Sequence, residues 1–124
     1  MSKGKVLIVE DEQITRSFLS QLIVSLGFEA DSCSNGEEAI SKISTFQPDV
    51  ILSDVLMPEY SGLQLLNYVQ KKTPAKIPIV LISSMDASAM GDMVEDIGAI
   101  GFVSKPPKKE ELLSLLEKAI ASNV

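Results

Sequence analysis

Residues 5–27 read KVLIVEDEQITRSFLSQLIVSLG, and their two halves obey different periods. Lys5 to Val9 is continuously apolar and β-branched, the mark of a strand buried on both faces. From residue 14 the period changes: Ile14, Phe18, Leu22 and Leu26 recur four apart, with Leu19 and Ile23 beside them. That spacing predicts a helix over residues 14–26 with this row on its inner face, and Gly27 suits its C-terminal end. Working outward, residues 28–33 alternate and predict an edge strand. Residues 37–46 predict a helix with Ala39, Ile40 and Ile43 inward, and VILS at 50–53 a third strand, with Pro48 discouraging any helix that would run into it. Residues 63–72 read as helix and 79–83 as strand. Residues 87–97 read as a weaker helix, because Gly91 costs about 1 kcal/mol against alanine there. Phe102 and Val103 mark a short fifth strand, and Leu112, Leu113, Leu116 and Ala119 give residues 110–121 an amphipathic period. Five strands alternating with five helices predict an α/β fold, a doubly wound five-stranded parallel sheet of flavodoxin-like (βα)5 type. Right-handed crossovers point to strand order 2-1-3-4-5, as one domain over residues 1–124.

Composition narrows the function. The 124 residues carry a formal net charge of −6, which ill suits direct binding of nucleic acid or of an anionic membrane surface. No apolar stretch approaches the roughly 20 residues that span a bilayer, and residues 1–5 show no apolar run of signal-peptide type. Cys33 is the single cysteine, so no internal disulfide forms; a packed, inert side chain in a reducing, cytoplasmic setting is expected. The sequence has no histidine, which removes the commonest general base and any His-ligated metal site.

In sheets of this order the site lies at the carboxyl ends of the strands, where strand order reverses. Glu10 and Asp11 follow the first strand and Asp54 follows the third, so three carboxylates are expected to meet there. Like charges this close oppose ionisation unless a cation lies between them, and hard oxygen ligands describe a magnesium site. Ser83 ends the fourth strand and Lys105 follows the fifth. The arc then carries acids, Asp54, a hydroxyl and an ammonium, the groups that the oxygens of a transferring phosphoryl group need.

These motifs resemble the receiver domain of two-component response regulators. The matching pieces are VEDE at 9–12, PDVILSDVLMPEYSG at 48–62, IVLISS at 79–84 and GAIGFVSKP at 98–106, in the family's order over roughly residues 5–121. The resemblance implies that Asp54 is the phosphoacceptor. It implies that Asp11 binds Mg2+ directly, Glu10 directly or through water, and that the Leu56 carbonyl is a further ligand. Lys105 is then the partner of the phosphoryl oxygens, Ser83 their hydrogen-bonding hydroxyl, and Phe102 the switch aromatic, here without the commoner tyrosine's hydroxyl. Lys105-Pro106 is implied to be a cis-proline bond. The implied phosphodonor is a histidine kinase or histidine phosphotransfer protein. A downstream protein partner would meet the surface of the fourth helix, fifth strand and fifth helix.

Other classes fit less well. A flavin binder needs Ser, Thr or Gly donors where this chain has Glu10, Asp11 and Glu12. A phosphatase wants a second acid near its nucleophile, where Val55 and Leu56 follow Asp54. A pseudo-receiver, acting as a phosphorylation-independent interaction module, would not need the complete set of site residues. Met85, Met90 and Met93 suit either core packing or an adaptable surface.

The resemblance also implies that the side chains two after Asp54 and two after Ser83 flank the water that attacks an acyl phosphate. Here these are Leu56 and Met85, neither able to orient water. Leu56→Asn combined with Met85→Glu is expected to shorten the phosphoprotein's half-life severalfold, since one hydrogen bond to that water is worth about 1 kcal/mol. Phosphate release after labelling with acetyl phosphate measures this, and an unchanged rate refutes it.

Overall fold

The computed structural model describes residues 3–54, 77–83 and 100–122. Strands β1 (Lys5–Val9), β2 (Glu29–Cys33), β3 (Val50–Asp54), β4 (Ile79–Ser83) and β5 (Gly101–Ser104) form one sheet in the order β2-β1-β3-β4-β5. Every pairing is parallel. Among the described residues the helices are α1 (Gln13–Ser25), α2 (Gly36–Phe46) and α3 (Lys109–Ser122), the last being the fifth helix of the sequence pattern. The doubly wound order is as expected. The helices expected at 63–72 and 87–97 lie outside the described residues, as do Leu56 and Met85.

The alternation of side chains along each strand divides the core in two. Val6, Ile8, Val50, Leu52, Val80 and Ile82 point to the face that α1 and α3 cover through Leu19, Ile23, Leu112 and Leu116. Leu7, Val9, Ile51, Ile79 and Leu81 point to the opposite face, covered by α2 through Ala39 and Ile43. Burial of both faces explains why the central strands read as continuous apolar runs. β2, at the edge, is only partly buried until Cys33.

Helix ends follow local chemistry. Asn35 caps α2 by accepting the Glu38 amide at 2.9 Å, and Glu37 and Glu38 in the first turn complement the helix dipole. Gln47 closes α2 in the left-handed region at φ 53°. By contrast, α1 has Glu12 at its N-cap without a side-chain cap bond and no acid in its first turn.

One expectation about α1 is corrected. Ile14 is 86% exposed and Phe18 49%, whereas Leu19 and Ile23 are fully buried. A row of residues four apart drifts about 40° around the helix at each step, because a turn takes 3.6 residues. The row from residue 14 to residue 26 therefore winds across the helix, and its members Leu22 and Leu26 reach the core while Ile14 and Phe18 do not. Boundaries also differ: β2 starts at Glu29 rather than at residue 28, and β3 continues through Asp54.

Ile23→Ala is accordingly expected to cost about 2–5 kcal/mol in urea unfolding, against roughly 0.5 kcal/mol or less for Ile14→Ala. Equal costs would return Ile14 to the core.

Candidate functional site

The site grows from the pairing of β1 with β3. Val9 lies opposite Ser53, so Glu10 and Asp54 stand one step further along, side by side at the carboxyl edge. The Glu10 amide donates to the Cys33 carbonyl at 3.0 Å, which ties the start of this turn to β2. Glu10 is fully buried, Asp54 is 7% exposed and Asp11 is open to solvent. Carboxylate oxygens of all three lie within 4.8 Å of one another, a grouping able to hold a metal ion.

Lys105 arrives from the other side of the sheet. Its amide donates to the Ser83 carbonyl at 2.9 Å, extending the β4–β5 ladder, and its bond to Pro106 is cis. The ammonium donates to Asp54 Oδ2 at 2.9 Å and to Glu10 Oε1 at 3.2 Å. It also lies 3.0 Å from Glu10 Oε2, a buried oxygen with no hydrogen bond among the described residues. Ser83, 2% exposed, ends β4 one step beyond Ile82, the partner of Asp54. Phe102 pairs with Leu81 and packs, partly buried, against the core beneath α2. Glu10, Asp11, Asp54, Ser83 and Lys105 thus share one edge of the sheet, while Phe102 lies within β5.

The electrostatics are uneven. Burial is the main reason that the Glu10 carboxyl is pushed up to about 7; the neighbouring Asp54 adds to this and Lys105 opposes it. Burial alone would lower the Lys105 ammonium, but its bonds to Asp54 and Glu10 outweigh burial and hold it above its ordinary value. Burial likewise pushes the Cys33 thiol up to about 12, which keeps it protonated and inert.

Two contributors escaped the sequence pattern. Arg16 Nη1 donates to the Glu10 carbonyl at 2.9 Å. Its signal was a base in the first turn of a helix, where acids are favoured. Ser53, fully buried, donates its hydroxyl to the Asp54 carbonyl at 3.0 Å. Its signal was a polar residue inside an otherwise apolar strand.

Comparison with known proteins agrees with this geometry. A family model described as "Response regulator receiver domain" matches residues 6–117. A protein-glutamate methylesterase/protein-glutamine glutaminase of Archaeoglobus fulgidus is 36% identical over 105 residues, covering 82% of this chain and 30% of that protein. The DNA-binding transcriptional regulator NtrC of Escherichia coli is 30% identical, covering 98% and 26% respectively. The chain thus spans about a third or less of these two relatives. Among solved structures, the chemotaxis response regulator CheY4 of Vibrio cholerae superposes with a TM-score of 0.82 at 30% identity, over 94% of this chain and 98% of that one. The signal receiver domain of a histidine kinase from Syntrophus aciditrophicus gives 0.81 at 31% identity, over 96% and 91%.

The raised Glu10 carboxyl sets a pH dependence of metal-free stability. The unfolded chain ionises Glu10 near 4.5 and the folded chain only near 7, so folding is favoured below 4.5 and loses that contribution as pH rises through 7. Relative to wild type, Glu10→Gln is expected to gain on the order of 3 kcal/mol in unfolding free energy between pH 4.5 and pH 8 without metal. A constant difference across that range contradicts the assignment.

Proposed function

The chain belongs to the response regulator receiver domain family of two-component systems, and from that premise we propose that Asp54 accepts a phosphoryl group from the phosphohistidine of a partner in a magnesium-dependent reaction. The observation that carries this reading is the Lys105 ammonium held between Asp54 and buried Glu10, with Asp11 beside them. The donor set fits a hard divalent cation: three carboxylates converge, and the buried Glu10 Oε2, 3.0 Å from the Lys105 ammonium, makes no hydrogen bond among the described residues. When bound, Mg2+ would offset the carboxylates' mutual repulsion and the charge of the phosphoryl oxygens; Glu10, Asp11 and Asp54 would hold it, joined by the Leu56 carbonyl as the resemblance implies.

The steps belong to the chain's own residues. A carboxylate oxygen of Asp54 attacks phosphorus, the phosphorus–nitrogen bond of the donor breaks, and the imidazole leaves with the bonding pair. Asp54 is held at the end of a buried strand, so its approach is set before the donor arrives. Transfer places charge where Lys105 already points, and the ammonium moves its bond from the carboxylate to a phosphoryl oxygen. The Ser83 hydroxyl supplies a second donor from the neighbouring strand end. The lysine's altered pairing would then be transmitted through β5 and Phe102 to a surface of β5 and α3, where a downstream protein partner would bind; the fourth helix of the sequence pattern, also expected to meet that partner, lies outside the described residues. The chemistry is one transfer per molecule, followed by hydrolysis of the acyl phosphate to free Asp54 and inorganic phosphate, not turnover of a metabolite. For this chain, placed in the cytoplasm, a histidine kinase or histidine phosphotransfer protein is the matching donor, and the resemblance implies that Leu56 and Met85 tune the loss of the group.

With acetyl phosphate and Mg2+, the intact mass of the protein is expected to rise by one phosphoryl group. Asp54→Ala or chelation of the metal should remove the product, and Asp11→Ala should lower its rate at least tenfold. Equal labelling of Asp54→Ala would place the acceptor elsewhere.

A further inference from the structure

We infer that Arg16 is a positioning residue that fixes the acidic turn in its metal-binding shape by holding the Glu10 carbonyl. The inference rests on the proposed cation site and adds a residue to it. Among the described residues the turn's main chain is held on both sides of Glu10, and the Glu12 amide donates to Glu10 Oε1 at 3.4 Å. The Glu10 amide is bonded to Cys33 of β2, and the Glu10 carbonyl accepts Nη1 of Arg16 at 2.9 Å. Between this carbonyl and the start of α1 the chain must release Asp11 toward the site, and Asp11 is exposed, with little packing to hold it.

The placement of Arg16 is costly unless it serves the turn. A cation in the first turn of a helix opposes the helix dipole, and although Glu12 stands at the N-cap of α1 it makes no side-chain cap bond. A lysine or arginine near three carboxylates would ordinarily pair with one of them. Among the described residues the guanidinium bonds a neutral carbonyl instead, while Lys105 serves the carboxylates. A charge-assisted bond to a carbonyl holds geometry without taking an oxygen that a metal needs. Its fixed charge works against a nearby cation, so its benefit to the site is orientation.

That opposition of signs makes the test decisive. If Arg16 acted only through its charge, its removal would tighten cation binding; as a positioning residue, its removal loosens it. The experiment is calorimetric titration of MgCl2 into the wild-type chain, Arg16→Ala, Arg16→Met and Arg16→Lys. The expected result is a Kd raised roughly tenfold in Arg16→Ala and Arg16→Met, and largely restored in Arg16→Lys, which keeps a donor. Arg16→Met keeps the aliphatic stem and carries the test should the alanine variant fail to fold. Magnesium bound by wild type and equally or more tightly by the alanine or methionine variant overturns the positioning role and leaves the cation site standing. No magnesium bound by wild type overturns both.

Discussion

One ammonium shared between two buried carboxylates organises this molecule's functional edge. Lys105 reaches Asp54 and both oxygens of Glu10 within 3.2 Å, and those three residues come from β3, from the turn after β1 and from the residue after β5. Buried charges are tolerated where they are paired, and removing one partner of such a set typically costs about 3–5 kcal/mol. The contact is therefore a constraint on the sheet as well as a property of the site. It requires β1 and β3 to be neighbours and requires the end of β5 to stay beside β4.

The sheet meets that constraint through apolar packing and its parallel hydrogen-bonded ladders. Continuous valine, leucine and isoleucine runs bury β1, β3 and β4 on both faces, which fixes their register and hence the level at which the polar residues emerge. Asp54 is the last residue of its strand and Ser83 the last of the next. A one-residue slip of β3 would turn Asp54 to the other face and offer the buried Ser53 hydroxyl to the site. Function here depends on register, and register depends on the core.

Much of this was legible in the sequence because apolar periodicity reports burial. The five strands follow from it; the strand order came from crossover handedness and the common doubly wound arrangement, and the meeting of Glu10, Asp11 and Asp54 from the switch point of that order. What was not legible depended on helix orientation and on solvent. The row beginning at Ile14 has the spacing of a buried face, yet the winding of that row carries Ile14 and Phe18 away from the sheet. The three acids look equivalent in sequence, whereas full burial sets Glu10 apart from exposed Asp11 and pushes its carboxyl up to about 7. Arg16 leaves only a weak trace, because a bond to a main-chain carbonyl has no partner side chain to be read.

If Lys105 stands in for a metal's charge in the metal-free fold, the two compete for the same oxygens. The direct measurement is the shift in melting temperature on adding millimolar magnesium to Lys105→Met, compared with the same shift in wild type. The account predicts a metal-free variant that melts lower than wild type and a magnesium-induced rise that is larger by several degrees. A rise equal to or smaller than that of wild type would contradict it.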